Sequence, residues 1–387
     1  MSVFDVAIVG AGPAGCSTAI TLAQRGYQVA MFDRALFPRE KLCGDFLSPL
    51  NWPVLHDLGA GRELLSLPHA KVTTFRISAA DGAEANSALP VQGDYQFGLG
   101  LRRFHLDHVL LARAKRAGVS VNENVKLHGI KRESCAWRLD MHRGAERVSV
   151  RAKALVGADG RNSWVAHQLG MVAAPPKHSA AVGFEIQLRQ VAGLRGSVEI
   201  HQFAGGYAGL VRVDEDTVNL CFAVKRSLLG KSVDFANLCR QFLCRNPVLE
   251  KLLSRGEPVS ALRSAWPVYF PARRCFGDGF LLVGDAARVT EPLTGEGIFF
   301  AMRSGQLAGA ELARALAEGN VSSARLSEHE RACRTEFAAR LRLNAVIRDL
   351  VYRPRLLSLA IRFLGRRQRL LDSLVNAVCQ RRAAFDR

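Results

Sequence analysis

Glycines and an acid placed directly after short apolar runs are the first residues in this sequence that indicate chemistry. The first run is followed by Gly10-Ala11-Gly12-Pro13-Ala14-Gly15, and the second run ends at Asp33. Gly10 permits a tight turn, Gly12 lets the backbone approach a pyrophosphate, and Gly15 brings a helix close to a strand. Asp33 can accept hydrogen bonds from an adenosine ribose and disfavours a 2′-phosphate. The spacing therefore predicts binding of NAD or FAD rather than NADP.

Two further acids occupy comparable places later in the chain. Asp159 lies in G-A-D-G-R-x-S after one apolar run, and Asp285 lies in G-D-A-A after another. The stretch P-L-T-G-E-G-I at residues 292–298 then opens a long helical pattern. Because the free amides at a helix N-terminus favour negative charge, this stretch is predicted to form an anion site.

The candidate reacting side chain is Cys43, in the segment R-E-K-L-C-G-D at residues 39–45. Pro38, Gly44 and Pro49 favour a loop here rather than a helix. A free cysteine is commonly a buried and inert residue. In a polar, charged loop it can instead line an active site. Both interpretations of Cys43 stay open at this point.

Alternating strands and helices must position these residues. β-Branched runs at residues 3–9 and 29–32 predict buried strands, and residues 14–25 and 101–117 predict helices. Residues 175–271 differ, because β-rich runs follow one another as in an antiparallel meander, interrupted by a helix predicted at 234–253 and ended by a strand predicted at 264–270. Before them, residues 71–77 alternate like a strand, and residues 81–93 predict a hairpin connection or a flexible loop. The fold class predicted is α/β, with a Rossmann-type domain, an inserted antiparallel β-sheet and a C-terminal helical tail.

The motifs resemble those of a known flavoprotein branch. R-E-K-x-C-G after a dinucleotide turn, then G-A-D-G-R-x-S, then G-D-A-A with P-L-T-G-E-G-I, resemble the geranylgeranyl-reductase-like branch of FAD-dependent oxidoreductases, which are relatives of the class A flavoprotein monooxygenases. The resemblance spans residues 3–310 in three separated motifs. Many members carry a second glycine where this chain has Asp45, and this departure leaves the subfamily open.

The resemblance implies that FAD is the cofactor and that its ring lies against the loop of Cys43. It places Arg103 and Asp159 near the diphosphate, Asp285 at the ribitol chain, and the amides of residues 295–298 at the pyrimidine edge. The implied catalytic residue is Cys43, and no metal site is expected. The predicted cofactor-binding residues are Gly10, Gly12, Pro13, Ala14, Gly15, Asp33, Arg34, Gly44, Asp45, Arg103, Asp159, Gly160, Gly284, Asp285, Gly295, Gly297 and Ile298.

The domain organisation follows from the same motifs. We predict a discontinuous FAD-binding domain (residues 1–70, 101–174 and 272–320), a substrate-domain sheet (71–100 and 175–271) and a C-terminal basic helical region (321–387). By resemblance the sheet roofs a substrate cavity over the flavin. Glu185, Phe203, Tyr207 and Trp266 are candidate lining residues, although core packing or exposure is the commoner state of such residues.

Three functions are compatible with a flavin site of this kind. In the first, reduced flavin passes a hydride to a double bond of a hydrophobic isoprenoid or polyketide-like substrate, and Cys43 or a water supplies the proton. In the second, a monooxygenase hydroxylates an aromatic substrate. In the third, a non-catalytic sensor holds flavin without turnover. The W-x-W-x-I-P motif of flavin halogenases is absent. Since no second glycine motif occurs, NAD(P)H is expected to bind transiently as electron donor, unless another donor serves.

The composition of the chain indicates which partners and which cell compartment to expect. The 387 residues carry a net charge of +18, but basic residues do not interleave with aromatics, so we expect no nucleic-acid partner. Nine cysteines without a C-x-x-C pair favour a reducing cytoplasm. The first strand pattern begins at Val3, so no signal peptide is expected. Oligomeric state is left open.

The tail after residue 353 has an amphipathic, basic pattern. Leucines and other apolar residues recur at helical spacing, with arginines 355, 362, 366, 367, 369, 381 and 382 between them and a break at Gly365. A basic amphipathic helix can lie on an anionic membrane. The same pattern also suits helices packed on the core with solvated arginines, and both interpretations stay open.

Overall fold

The computed structural model describes residues 3–91, 95, 97–143, 146–172, 181–230 and 233–380. Residues 175–180, Arg381 and Arg382, on which parts of the predictions fall, lie outside these ranges. The helices of the described residues are α1 (Pro13–Ala23), α2 (Trp52–Asp57), α3 (Gly61–Leu65), α4 (Arg103–Arg116), α5 (Trp164–Gln168), α6 (Phe235–Gln241), α7 (Pro247–Leu253), α8 (Gly297–Ala317), α9 (Ser323–Val351), α10 (Pro354–Gly365) and α11 (Gln368–Cys379).

The strands form three sheets. They are β1 (Val3–Val9), β2 (Val29–Phe32), β3 (Phe46–Leu47), β4 (Ala70–Val72), β5 (Thr74–Ser78), β6 (Glu84–Ala88), β7 (Gly98–Gly100), β8 (Ser120–Asn122), β9 (Lys126–Arg132), β10 (Trp137–Arg143), β11 (Glu146–Gly157), β12 (Ala181–Arg189), β13 (Ser197–Phe203), β14 (Gly206–Arg212), β15 (Val218–Lys225), β16 (Glu257–Pro258), β17 (Arg263–Ala265), β18 (Phe276–Gly277) and β19 (Phe280–Leu282).

The first sheet has the order β18-β19-β11-β1-β2-β8, with β10 and β9 continuing from β11. Strands β19, β11, β1, β2 and β8 run parallel, so their carboxyl ends meet at one edge. This part is an α/β sheet, as the alternating patterns predict. Helices α1 and α8 pack very closely against each other. A Cβ at Gly305 of α8 would lie only 2.4 Å from the carbonyl oxygen of Ala14 in α1, so the absence of a side chain at Gly305 allows this close packing.

The second sheet has the order β16-β12-β15-β14-β13-β5-β6, and β17 also pairs with β12. Its pairings are antiparallel except for β13 with β5. Strand β6 occupies part of a segment predicted to be a loop, and its residues alternate between exposed and buried. The helix predicted at 234–253 is instead two, because Asn246 caps a new helix that begins at Pro247.

The third sheet is small and joins the loop of Cys43 to the rest of the fold. It consists of β3-β7-β4, and Phe46 pairs with Gly100. A Cβ at Gly100 would lie 1.7 Å from the Arg212 carbonyl oxygen of the second sheet. The glycine therefore allows the third sheet to lie directly against the second.

The C-terminal helices pack at the β6 edge of the second sheet. Helix α9 packs on α8, and α10 and α11 pack on β6. Their buried residues Leu357, Ile361, Leu371 and Val375 belong to one apolar cluster. Within the described ranges, none of the helices is both long enough and apolar enough to cross a membrane.

Candidate active site

A cavity lies between the carboxyl edge of the first sheet and one face of the second. Its empty space, counted to the open mouth, is about 1700 Å³. Residues directly after four parallel strands line one wall, as is usual for ligand sites of open α/β sheets. These residues are Gly10 and Gly12 after β1, Asp33 after β2, Asp159 and Gly160 after β11, and Asp285 after β19.

The glycine turn after β1 is shaped by close backbone contacts. Gly10 has φ +104°, and a Cβ there would lie 2.4 Å from the Ala158 carbonyl oxygen. A Cβ at Gly15 would lie 1.9 Å from the Gly10 carbonyl oxygen, so Gly15 supports the turn from beneath and does not line the cavity. A Cβ at Gly12 would contact only the Arg39 guanidinium, at 3.6 Å, and no side chain caps the α1 N-terminus that follows. The free amides of α1 are thus open to an anionic group.

Asp33 is fixed at the end of β2. Its carboxylate accepts the backbone N–H of Ala11 at 2.8 Å and that of Ala35 at 2.9 Å. One oxygen is used by each amide, which leaves further lone pairs facing the cavity. Arg34 is exposed and does not line the cavity.

Asp159 combines cavity lining with a structural role. Its carboxylate accepts the Ser163 hydroxyl at 2.5 Å and the backbone N–H of Val165 at 3.1 Å, at the start of α5. Gly160 beside it has φ +83° and no atom near its missing side chain. The turn therefore braces the first sheet and also leaves open space at the cavity wall.

Asp285 and the N-terminus of α8 form the remaining part of this wall. Among the described residues no hydrogen bond reaches the Asp285 carboxylate, while Gly284 is packed behind it against Ala14. Gly295 has φ +66°, and a Cβ at Gly297 would meet no atom within 4 Å. Like α1, α8 begins without a side-chain cap, so a second set of free amides faces the cavity.

Arg103 occupies the centre of an ionic cluster that the sequence reveals only in part. Its guanidinium donates to both carboxylate oxygens of Asp107, at 2.7 and 2.8 Å, and Arg39 lies 3.2 Å from the same carboxylate. Arg39, Lys41 and Arg103 all line the cavity. Arg39 and Lys41 belong to the R-E-K-x-C-G motif, but we did not predict them as site residues from the sequence. Their positive charges are therefore an addition to the predicted site.

Cys43 lines the cavity. Its carbonyl oxygen accepts hydrogen bonds from the Asn219 amide and the Cys221 thiol, each at 2.8 Å. Burial raises the pKa of the Cys43 thiol to about 11, Asp45 adds to the rise, and Arg103 opposes it. Cys43 is consequently a neutral thiol at physiological pH, which suits a proton donor better than a nucleophile.

The next two residues of the loop differ in what they contact. Gly44 is exposed, lines the cavity and has nothing within 4 Å of its missing side chain. Asp45 is buried, does not line the cavity and accepts the Arg103 backbone N–H at 3.1 Å. It has φ +53°, a left-handed conformation that glycine favours and aspartate tolerates. A glycine at this position would adopt this conformation without strain.

A chain of alternating charges stands behind the Cys43 loop. Arg102 and Arg263 both pair with Glu40, and Arg263 lies 3.7 Å from buried Glu185. Burial raises the pKa of Glu185 to about 7, with Arg263 opposing the rise and Glu40 adding to it. The backbone N–H of Cys43 also stabilises the ionised Glu185 carboxyl. Glu185 therefore supports the loop from behind and does not line the cavity.

The opposite wall of the cavity is apolar. Tyr207 lies on this wall, and its hydroxyl donates to buried Glu291 at 2.6 Å. Phe203 is instead buried in a separate cluster, and Trp266 is 39% exposed and away from the cavity. The other apolar residues that line this wall are Phe75, Phe184, Val198, Ile200, Leu210, Phe222, Val268 and Leu293.

The residues present fit FAD. Two uncapped helix N-termini, the glycine at position 12, the open positions at Gly44, Gly160 and Gly297, and the Asp33 carboxylate all line one continuous space. The first N-terminus suits a diphosphate, and Asp33 suits a ribose. The second N-terminus suits negative charge on a flavin pyrimidine.

Comparisons with known proteins agree with this fit. Residues 3–343 match the family model described as FAD binding domain. Conditioned medium factor receptor 1 of Dictyostelium discoideum is 27% identical over 365 residues, covering 91% of this chain and 71% of that protein. Digeranylgeranylglycerophospholipid reductase 1 of Methanothermobacter thermautotrophicus is 28% identical over 356 residues, covering 86% and 82%.

Solved structures show the same fold. A geranylgeranyl bacteriochlorophyll reductase-like protein of Thermoplasma acidophilum has a TM-score of 0.79 at 22% identity, covering 98% of this chain and 92% of that one. The flavin-dependent brominase Bmp2 has a TM-score of 0.82 at 18% identity, covering 99% and 96%. The flavin-dependent halogenase CmlS has a TM-score of 0.76 at 23% identity, and this chain covers 63% of it.

The family match covers most of the chain, and the three motifs converge on one cavity that suits FAD. The chain therefore belongs to the FAD binding domain family and is an FAD-dependent oxidoreductase, and it is similar to proteins named for geranylgeranyl reduction.

Proposed function

We propose that this protein reduces carbon–carbon double bonds of a hydrophobic, isoprenoid-like substrate. The observation that carries the proposal is the composition of the cavity: an apolar wall and a glycine-lined wall enclose one space, and Cys43 lines that space as well. An unactivated isoprenoid chain offers no polar group along its length, so an apolar wall is the surface that suits it. The similar proteins named digeranylgeranylglycerophospholipid reductase support the same substrate class.

The residues of this chain would divide the work as follows. FAD, when bound and reduced, supplies the hydride for one carbon of the double bond. The Cys43 thiol supplies the proton for the other carbon, so the product gains two hydrogens. Because its pKa is about 11, Cys43 is protonated before each turnover. The Asn219 and Cys221 hydrogen bonds to its carbonyl oxygen hold the loop in place.

NAD(P)H is the electron donor in this proposal. Lys41, Arg39 and Arg103 at the cavity give a positive field that suits a phosphorylated dinucleotide approaching transiently. Anaerobic mixing of the FAD-loaded protein with NADH or NADPH should bleach the flavin absorbance. If neither bleaches it, the donor is of another kind, and the reductase proposal is still tested by chemical reduction.

The experiment that tests the reaction uses FAD-loaded protein reduced by dithionite without oxygen. Mixing with a digeranylgeranyl glycerophospholipid should reoxidise the flavin and give a product heavier by two hydrogens for each bond reduced. Hydroxylation of a phenol on adding oxygen, with no reaction toward the lipid, would instead establish a monooxygenase. No coupling to any substrate would leave a flavin-binding sensor.

Cys43 variants test its part in the reaction. Cys43→Ser and Cys43→Ala should slow lipid-coupled flavin reoxidation by roughly 10²- to 10⁴-fold while FAD binding is retained. Cys275→Ala is the matched control, because Cys275 is a buried free thiol that does not line the cavity. A Cys43→Ala rate equal to that of wild type would assign the proton to a water.

A further inference from the structure

Helix α10 carries two apolar faces, and only one of them is used inside the protein. Leu357 and Ile361 are buried, with 6% and 2% of their surface exposed. Leu356, Leu359 and Phe363 lie on another face at i, i+3 and i+7 and are 48%, 65% and 50% exposed. Leu370 at the start of α11 is 48% exposed as well. We call these four exposed residues the outer stripe.

Positive charge surrounds the outer stripe. Residues 353–380 contain six arginines and one acid, Asp372, and neither lysine nor glutamate. Exposed Arg366, Arg367 and Arg369 cluster at the junction of α10 and α11, and the Arg367 guanidinium lies 4.6 Å from the Phe363 ring centroid. The apolar residues and the cations thus face solvent together on one end of the molecule.

We propose that the outer stripe docks onto the surface of an anionic lipid bilayer. An exposed apolar stripe beside a basic cluster is the arrangement by which interfacial helices bind: apolar side chains enter the acyl boundary while cations pair with acidic head groups. A protein partner of matching shape would need acidic residues around an apolar groove, whereas an anionic bilayer supplies both features along its whole surface. Each helix has 12 residues and spans about 18 Å, so it lies along the surface and does not cross it.

The buried side of α10 and α11, opposite the outer stripe, is continuous with the apolar wall of the cavity. The buried faces of α10 and α11 share one apolar cluster with Val198, Ile200 and Tyr207, which line the cavity. The helices that carry the outer stripe therefore pack, on their buried side, against the same apolar cluster as the cavity wall. The docking does not depend on the proposed reaction, because it can be measured with lipids that contain no isoprenoid chain.

Vesicle flotation of the FAD-loaded, full-length protein tests the proposal. One set of vesicles is phosphatidylcholine alone, and the other contains about 30 mol % phosphatidylglycerol to supply the anionic surface. We expect flotation with the anionic vesicles, a large loss of it at high salt, and little flotation with neutral vesicles. Equal flotation with both kinds, or none with either, would overturn the proposal.

Matched variants locate the docking surface. Leu359→Gln with Phe363→Gln should weaken vesicle binding by about tenfold or more. Arg366→Gln with Arg369→Gln should weaken it by about 30-fold at low salt. The controls are Leu228→Gln with Val259→Gln, of similar exposure but outside α10 and α11, and exposed Arg240→Gln with Arg255→Gln. Variants that bind like their controls contradict the proposal.

Self-association is the competing use of an exposed apolar face. Size-exclusion chromatography of wild type and of the Leu359→Gln, Phe363→Gln variant distinguishes self-association from bilayer docking. An oligomer that the variant dissociates, with vesicle binding unchanged, would show that a second copy covers the outer stripe and would overturn the bilayer assignment.

Discussion

At the scale of single residues, Cys43 shows how position sets chemistry. A thiol next to an arginine is often ionised, because the positive charge stabilises the thiolate. Here burial outweighs Arg103, whose guanidinium is already engaged by both oxygens of Asp107. The paired arginine therefore contributes less field at the sulfur, and the proton stays on Cys43.

Alkylation measures this protonation directly. We expect iodoacetamide to modify Cys43 very slowly at neutral pH and progressively faster up to pH about 11, because only the thiolate reacts. Exposed Cys135 in the same protein gives the reference for reagent access. Peptide mass spectrometry reports both sites at each pH. Rapid modification of Cys43 at neutral pH would mean a thiolate and would contradict the role of proton donor.

Glu185 makes stability depend on pH. Its pKa rises from 4.5 to about 7 on folding, chiefly through burial, so the folded protein binds this proton more tightly than the unfolded chain. Below pH 4.5 the Glu185 carboxyl is protonated in both the folded and the unfolded protein, so its ionisation does not lower the free energy of unfolding there. As pH rises to about 7 the folded state loses stability, on the order of 3 kcal/mol in total, and the loss is constant above.

The variant Glu185→Gln removes this titration while keeping the shape of the side chain. Its free energy of unfolding relative to wild type should therefore increase between pH 4.5 and about 7 and then level off. Urea denaturation at a series of pH values gives the difference. Two curves that stay parallel across this range would show that Glu185 does not carry the raised pKa.

At the scale of elements, one arginine joins the cavity to the C-terminal helices. Arg340 of α9 donates to Glu296 at 2.9 Å, next to Gly295 and Gly297 of the cavity wall. It also donates to the carbonyl oxygens of Val378 and Gln380 at the end of α11. Glu296 is buried and also accepts the Asn344 amide, so the α8 N-terminus is held by α9 and not by a cap of its own.

The variant Arg340→Gln should cost about 3–5 kcal/mol of unfolding free energy, because it leaves Glu296 buried without its cation. It should also weaken FAD binding, since Glu296 lies between two glycines of the cavity wall. The control is Arg331→Gln, whose pair with Glu328 is exposed and contributes about 1 kcal/mol or less. Urea denaturation and flavin fluorescence measure the two effects.

A double variant tells whether the instability of Arg340→Gln comes from the unpaired Glu296 carboxylate or from the lost contacts with α11. Adding Glu296→Gln to Arg340→Gln removes the unpaired carboxylate and should restore much of the lost stability. If the double variant is no more stable than Arg340→Gln, the loss comes from the α11 carbonyls that Arg340 also satisfies.

The elements could be predicted from sequence where their signals are local. The strand, glycine turn, helix and acid at residues 3–33 have the order that the spacing indicates. The single strand predicted at 71–77 is instead divided between two sheets at Thr73, because pairing partners are set by tertiary contacts. The strand predicted at 264–270 ends at Ala265, before a proline that lacks an N–H to donate.

The side chains of the site could likewise be predicted only where a local sequence motif contains them. Motif residues such as Asp33 and Asp285 line the cavity, whereas Arg34 and Asp45 do not. No spacing in the sequence could place Arg340 beside Glu296, because 44 residues separate them and only the packing of α9 on α8 joins them. The roles assigned to the motif residues in holding FAD stay predictions.

At the scale of the whole molecule, the cavity has two chemically different walls, each supplied by one of the two large sheets. The parallel sheet presents glycines, free amides and acids to the cavity, and the antiparallel sheet presents apolar side chains. Strand alternation makes this possible, since Val198 and Ile200 face the cavity while Glu199 and His201 lie in a buried polar network with Ser78. The C-terminal helices then extend the apolar cluster of the cavity wall past the β6 edge.

Two neighbouring residues of α10 separate the internal role of this helical layer from its proposed external role. Ile361→Ala should cost about 2–5 kcal/mol, because Ile361 is 2% exposed in the cluster that continues to the cavity wall. Leu359→Ala, on the same helix and 65% exposed, should change stability by about 0.5 kcal/mol or less. Vesicle flotation should reverse the order, with Leu359→Ala weakening binding and Ile361→Ala leaving it near wild type below its unfolding transition. Equal effects of the two variants in both assays would mean that α10 does not have one face for the core and another for the bilayer.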